Sequence, residues 1–140
     1  GDGPLEESLK FKVKSLKLDD KVEFAGEVPN EKLPEFLAQA DVFVRPSLSE
    51  GLGTAFLEAM AAGLAVIGTP VGGIPDFLKD GETGLFCRAG NSEDIAAKIN
   101  RVVSDEDLRA KLISNGRKLV EDKYDWNKIA EKFKEIYERI

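Results

Sequence analysis

The sequence predicts a layered α/β domain in which a parallel sheet is covered by helices on both faces and the chain ends in helices. Short apolar runs alternate with segments of helical periodicity, and this alternation is typical of parallel strands joined by crossover helices. Residues 64–68 contain almost no polar side chain, as expected for a strand buried on both faces. From Ser92 onward the periodicity is helical throughout. The chain is therefore predicted to form one domain, residues 1–140.

The first third of the chain is predicted to hold two helices and two strands. Apolar residues recur there at helical spacing: Leu5, Leu9, Val13 and Leu16. Residues 21–26 alternate as a short strand, and Asn30 begins a second helix. The residues of that helix that we expect to face inward are Leu33, Phe36 and Leu37. Residues 41–45 form the next strand, which Pro46 ends.

Residues 69–75 are predicted to form a loop after the buried strand. Its paired glycines, Gly72 and Gly73, allow backbone to approach another group closely, although a tight turn alone would also explain them. A short helix at residues 76–79 follows, and a turn then leads into a strand at residues 84–87. Cys87 ends this strand, so we interpret it as a small core residue rather than a nucleophile.

Three helices are predicted after the last strand. Ser92 caps the first, Asp105 the second and Asp125 the third. The inward face of the first of these helices is predicted to be Ile95, Ile99, Val102 and Val103. That of the last helix is predicted to be Ile129, Phe133, Ile136, Tyr137 and Ile140. Trp126 is expected to pack at the junction of the last two helices, with a stacking role as the alternative.

Composition excludes several classes of function. The net charge of −6 and the isoelectric point near 4.8 argue against a nucleic-acid surface, which needs a basic face. The chain has no histidine, so it cannot supply histidine acid–base catalysis, a histidine triad or a histidine-ligated zinc site. No apolar run reaches membrane-spanning length, and no signal peptide is visible. The single cysteine cannot form an internal disulfide, which is consistent with a cytoplasmic setting.

The most informative stretch is residues 46–63, where an apolar strand turns through two glycines into a helix. Glu58 is the one charged residue of that helix, and its neighbours at three and four residues are all small. A carboxylate in such an apolar segment is expected to need a partner. Glu50 lies in the turn before the helix, where the amides of residues 51–54 have no intrahelical acceptor. This stretch therefore predicts an anion site between two carboxylates, which suits a phosphorylated sugar.

Two other interpretations of this stretch stay open at the level of residue spacing. Glu58 could belong to the solvated stripe of an ordinary amphipathic helix, with Gly51 and Gly53 serving only the turn. A dinucleotide fingerprint fits less well, because Phe56 occupies its third glycine position. The strand at residues 64–68 also ends without the acidic residue that such sites use for ribose.

The motifs together resemble the C-terminal, donor-binding domain of the group 1 (family 4) retaining glycosyltransferases of GT-B fold. Residues 46–63 match the pattern Pro-Ser-x-x-Glu-Gly-x-Gly-x-x-x-x-Glu-Ala-Met-Ala-x-Gly, in which seven residues separate Glu50 from Glu58. Thr-Pro-Val-Gly-Gly-Ile-Pro-Asp and Asp-Gly-Glu-Thr-Gly-Leu follow downstream. Gly-Asp-Gly-Pro at the start and Val-Glu-Phe-Ala-Gly near residue 24 match in the expected order. The resemblance covers essentially the whole chain.

The resemblance implies a Rossmann-like sheet and transfer of a sugar from a nucleotide-diphosphate sugar with retention of configuration. It implies that no metal or other cofactor is required. Glu58 would bind the ribose diol, and Glu50 would be the catalytic residue that binds and orients the donor sugar. The residues whose amides would hold the diphosphate are Gly51, Leu52, Gly53 and Thr54. Gly26 and Val28 would lie beside the base, chiefly through backbone contacts.

The sequence departs from the family's pattern at its N-terminus. The family's first two strands, the basic pair that clamps the diphosphate and the N-terminal acceptor domain are absent. We therefore expect a donor-side fragment that is inactive alone, whose open sheet edge either closes up or pairs with another copy. The full-length enzyme would belong to carbohydrate biosynthesis and be cytoplasmic or peripheral to a membrane. The alternatives are a sugar-nucleotide epimerase of the same architecture and a truncated or redesigned α/β scaffold without activity.

Overall fold

The computed structural model describes residues 3–139, so Gly1, Asp2 and Ile140, which the sequence analysis includes, lie outside the described residues. The chain divides into two compact units, residues 1–36 and residues 37–140.

The N-terminal unit contains helix α1, Glu6–Ser15, as the apolar spacing predicts. A 3-10 turn, Asn30–Lys32, leads into the short helix α2, Leu33–Leu37, which crosses the unit boundary. The predicted strand at residues 21–26 is wrong, because these residues form no ladder with the strands that the structure describes. Alternating side chains favour a strand only where a neighbouring strand receives its hydrogen bonds. Phe36 is exposed rather than inward-facing.

The C-terminal unit is built on a parallel sheet of three described strands in the order β1-β2-β3. Strand β1 is Val42–Arg45, β2 is Ala65–Gly68 and β3 is Leu85–Phe86. Val42 pairs with Ala65, and Ile67 pairs with Leu85. All four residues of β2 are buried, which confirms a central strand covered on both faces.

Five helices belong wholly to the C-terminal unit. They are α3, Thr54–Ala62; α4, Ile74–Phe77; α5, Ser92–Ser104; α6, Glu106–Lys123; and α7, Trp126–Tyr137. Gly63 ends α3 in the left-handed conformation, as predicted for a glycine stop. Helix α4 lies two residues earlier than predicted because Pro75 fits within its first turn.

The helix caps of the C-terminal half are mostly those that the sequence predicts. The side chain of Asp105 accepts from the Leu108 amide, and that of Asp125 accepts from two amides of α7. The predicted cap at Ser92 is wrong by one residue. Asn91 has the extended backbone of a cap, and its side chain accepts from the Asp94 amide at 2.8 Å.

The core has one cluster on each face of the sheet, because alternate residues of β2 point to opposite sides. Val66 belongs to the cluster that contains Phe56, Ala59, Met60, Leu64, Ile74, Phe77 and Leu78. Ala65 and Ile67 belong to the cluster that contains Leu85, Cys87, Val102 and Leu112. Cys87 is 3% exposed, which confirms its prediction as a core residue.

The inward faces predicted for the last helices are partly wrong. Val102 is buried on α5, whereas Val103 is exposed. On α7 the predicted core residues that are exposed are Phe133, Ile136 and Tyr137, and Trp126 is 81% exposed instead of packed. Among the described residues, none of the apolar stripe of α7 is fully buried, although Ile129 is half-buried. No helix among residues 3–139 is long and apolar enough to cross a membrane.

Candidate functional site

The site is formed where β1 ends and α3 begins. The loop between them passes through Gly53, which caps α3 with a φ of 77°. A side chain at Gly53 would be strained by that φ, and its Cβ would also collide with Ile74 Cδ1. Only glycine therefore lets the chain turn at this point and enter the helix against α4.

A second loop supports the first. The Gly73 amide donates a hydrogen bond of 2.8 Å to the Gly51 carbonyl oxygen. A Cβ at Gly72, whose φ is 55°, would collide with the Glu50 carbonyl oxygen. The close backbone approach predicted for the paired glycines is confirmed, and the group approached is the backbone that leads into α3.

The N-terminal end of α3 presents amides without protein acceptors. Within residues 3–139, the amides of residues 51–55 donate no hydrogen bond to the described chain. Gly51, Leu52 and Thr54 are exposed, whereas Gly53 is buried. These amides carry the positive end of the helix dipole, so the site favours an anion.

Glu50 lies beside this end of the helix, and its side chain is only 9% exposed. Arg45 Nε lies 2.9 Å from Glu50 Oε1, and Ser47 Oγ donates to the same oxygen at 2.6 Å. The hydroxyl of Thr69, at the end of β2, donates in turn to the Ser47 carbonyl oxygen. Sequence reasoning placed Glu50 here but missed its two partners, Arg45 and Ser47, and the support that Thr69 gives to Ser47. A charged residue, Arg45, at the end of an otherwise apolar strand could have indicated a nearby acidic partner.

Glu58 lies on the outer face of α3 and is exposed. The expectation that it needs a protein partner is therefore wrong, because water solvates its carboxylate. Within the described residues, the carboxylate of Glu58 makes no ion pair and accepts no hydrogen bond. Glu58 comes four positions after Thr54, which places it about 6 Å along the helix axis from the N-terminal end.

A groove of about 380 Å³ runs along this face of α3. Its walls are Leu52, Thr54, Leu57, Glu58, Ala61, Val120, Tyr124, Trp126 and Ile129. Leu52 and Thr54 belong both to the groove and to the N-terminal end of α3. The groove therefore connects the free amides to Glu58, and we call it the α3 groove. Sequence reasoning missed the contribution of Tyr124 to this groove, and it expected Trp126 to pack at the junction of the last two helices, with a stacking role only as the alternative.

The remaining predicted site residues belong to the N-terminal unit. Gly26 has a φ of 65°, which suits a turn, and both Gly26 and Val28 are half-buried. Their contact with a nucleotide base stays a prediction. Across residues 3–139 no three acidic, histidine or cysteine side chains are grouped in a way that fits a metal ion.

The arrangement can bind an anion at the end of α3 and hydroxyl groups at two carboxylates. Comparisons with known proteins identify the family of the chain. A family model described as "Glycosyl transferases group 1" matches residues 1–119. N-acetyl-alpha-D-glucosaminyl L-malate synthase of Bacillus anthracis is 35% identical over 137 residues, which cover 98% of this chain and 35% of the relative.

Two solved structures extend the similarity to the fold. The C-terminal domain of the group 1 glycosyl transferase LpcC of Francisella tularensis has a TM-score of 0.80 and 36% identity over 87% of this chain and 63% of that one. A variant of S. aureus TarM, in complex with Fondaparinux, alpha-GlcNAc-glycerol and UDP, has a TM-score of 0.83 and 25% identity. That match covers 98% of this chain and 28% of TarM.

This chain therefore spans about a third of the length of the curated relative described above. Within that span lie the two carboxylates, the glycine turn and the loop that supports it. The matched residues include every element of the C-terminal unit up to most of α6, together with the N-terminal unit. The chain belongs to the group 1 glycosyl transferases.

Proposed function

We propose that this chain is the donor-binding part of a retaining glycosyltransferase that transfers a sugar from a nucleotide-diphosphate sugar. The observation that carries the proposal is the set of amides at residues 51–55 that have no acceptor in the described part of the chain, with Glu50 on one side and Glu58 one turn further along α3. Family membership favours transfer over the epimerase alternative. The UDP in the TarM complex supports a nucleotide donor.

The diphosphate would bind at the N-terminal end of α3. Several amides there have no acceptor among the described residues, and the helix dipole adds a potential that favours an anion. As the bond between the sugar and the diphosphate breaks, negative charge develops on the leaving oxygen. Preorganised amides stabilise such a charge without reorganising during the reaction. In this proposal the amides meet the diphosphate charge, and no metal is assigned to the site.

The ribose would enter the α3 groove and hydrogen-bond to Glu58. A carboxylate that is exposed and has no partner in the described chain can accept from two hydroxyl groups without first losing an ion pair. A hydrogen bond between a charged group and a hydroxyl contributes roughly 1.5–3 kcal/mol. The separation of about 6 Å along the axis is suited to a ribose attached to the bound phosphates.

The donor sugar would lie on the side of Glu50. Its carboxylate is held in place by protein donors and is the acidic group nearest to the free amides in sequence. It is therefore suited to orient the sugar while the diphosphate is held. The acceptor, and the groups that act on it, would belong to a separate N-terminal domain.

Isothermal titration calorimetry with UDP-, GDP- and ADP-sugars tests the proposal. We expect the chain to bind one class of sugar nucleotide, and to bind the matching nucleoside less tightly than the nucleoside diphosphate. Inorganic pyrophosphate should compete with the diphosphate. Failure to bind any of the three classes, or equal affinity for nucleoside and nucleoside diphosphate, would contradict the proposed site.

A further inference from the structure

We propose that Arg45 is a positioning residue that holds Glu50 for the donor sugar and thereby sets how strongly the sugar contributes to binding. This inference rests on the proposed function. It starts from the pair of contacts at Glu50 Oε1, made by Arg45 Nε at 2.9 Å and Ser47 Oγ at 2.6 Å. Arg45 is the last residue of β1, so its backbone is held by the sheet.

The two donors have different roles. Ser47 supplies a neutral hydrogen bond, and its backbone is held by Thr69 from the end of β2. Arg45 supplies a charged partner at 2.9 Å, and such charge-assisted contacts are stronger than neutral ones. Together they restrain the carboxylate from two directions before any ligand binds. Such preorganisation reduces the entropy lost when a sugar hydroxyl is bound.

The solvent exposure of Arg45 and Glu50 indicates that their ion pair serves the site more than it stabilises the fold. The Glu50 side chain is 9% exposed, whereas that of Arg45 is 48% exposed. Because Arg45 is half-exposed, solvent screens the pair and limits what it adds to the stability of the fold. The guanidinium has five N–H donors, and its Nε contact uses one of them. Arg45 can therefore contact Glu50 while about half of its side-chain surface stays exposed to solvent.

Arg45 should affect how tightly the donor sugar is bound, and it should not affect how tightly the nucleotide is bound. The quantity that reports this is the sugar ratio, which we define as the Kd of the nucleoside diphosphate divided by the Kd of its sugar conjugate. Arg45→Met should lower the sugar ratio roughly three- to tenfold and leave the Kd of the nucleoside diphosphate within about twofold. Arg45→Lys keeps the charge but loses the fixed geometry of the guanidinium, so its effect should be intermediate.

A double-mutant cycle separates positioning from direct contact. If Arg45 acts through Glu50, then Arg45→Met should change the sugar ratio in the wild-type background and leave it unchanged in the Glu50→Gln background. Arg117→Met is the matched control, because it removes the same charge from an exposed pair with Glu121 on α6. That control should leave the sugar ratio at its wild-type value.

The free protein provides a readout that needs no ligand. The Nε–H resonance of Arg45 should exchange slowly with water in the wild type and fast in Glu50→Gln, as measured by NMR. Fast exchange in the wild type, or an unchanged sugar ratio in Arg45→Met, would overturn the role of Arg45 alone. A loss of nucleoside diphosphate affinity in Arg45→Met would assign it to the phosphates instead. A wild-type chain that binds no sugar nucleotide would contradict the proposed function as well.

Discussion

Gly73 and Gly51 are joined by a backbone hydrogen bond of 2.8 Å that ties the loop after β2 to the loop before α3. The loop after β2 thereby supports the backbone that carries the free amides at the start of α3. Gly72, next to this bond, approaches the Glu50 carbonyl so closely that no Cβ fits between them. The anion site is therefore built by two loops. The loop after β2 needs glycine at residues 72 and 73 because the loop before α3 lies so close to it.

Gly72→Ala tests this close approach. The φ of 55° already disfavours alanine by about 1 kcal/mol, and the collision with Glu50 must move one of the loops. We expect a loss of unfolding free energy of about 2 kcal/mol or more, measured by urea denaturation. Gly81→Ala is the matched control, since its φ is 71° but its Cβ meets no atom within 4 Å. Equal losses in the two variants would show that the contact between the loops contributes nothing.

Glu58→Ala tests the ribose contact. We expect the Kd of the nucleoside diphosphate to rise at least about tenfold, because a charge-assisted hydrogen bond is lost. Thermal stability should change little, since the carboxylate is exposed and unpaired among the described residues. Glu131→Ala on α7 is the control and should bind as the wild type does. An unchanged calorimetric affinity in Glu58→Ala would rule out its role at the ribose.

Trp126 provides a direct test of the α3 groove. It is the single tryptophan of the chain, it lines the groove, and it is 81% exposed. Free protein should therefore show strong quenching of tryptophan fluorescence by acrylamide. A bound nucleotide should lower the quenching constant by roughly a third or more, because it covers part of the indole. Binding that is seen by calorimetry but leaves quenching unchanged would place the ligand outside the groove.

Cys87 should react slowly with thiol reagents in the folded chain. Burial raises the pKa of its thiol, and Asp94 adds a smaller effect in the same direction. A raised pKa means that less thiolate is present at any given pH near neutrality, and the thiolate is the reactive form. We expect labelling with dithionitrobenzoate at pH 8 to be at least tenfold slower in native than in urea-unfolded protein. Similar rates in the two states would contradict the buried placement of the thiol.

Local patterns predicted most of the elements of the C-terminal unit. The apolar composition of residues 64–68, the glycine stop at Gly63 and the caps at Asp105 and Asp125 depend on neighbours within a few residues. For the same reason, the sequence alone predicts the spacing of Glu50 and Glu58 around the glycine turn. Each of these features is decided by backbone geometry over one or two turns of chain.

Other features required the tertiary structure. Whether residues 21–26 form a strand depends on whether a neighbouring strand pairs with them, and whether Trp126 is buried depends on what packs against α7. Both outcomes depend on contacts with residues that are distant in sequence, and the local spacing of apolar residues carries no information about such contacts.

The amino-acid sequence by itself determined the family, the helix and strand order of the C-terminal unit, and the position of both carboxylates around the end of α3. Only the tertiary structure decided that Arg45 and Ser47 hold Glu50 while Glu58 stays exposed to water. The physical reason is that a motif specifies which groups are present and how the nearby backbone turns. Arg45 and Ser47 are close to Glu50 in sequence, but the loop that brings them to its carboxylate is held by the distant loop after β2, through the hydrogen bonds of Gly73 with Gly51 and of Thr69 with Ser47. The solvent exposure of Glu58 likewise depends on which segments pack against α3.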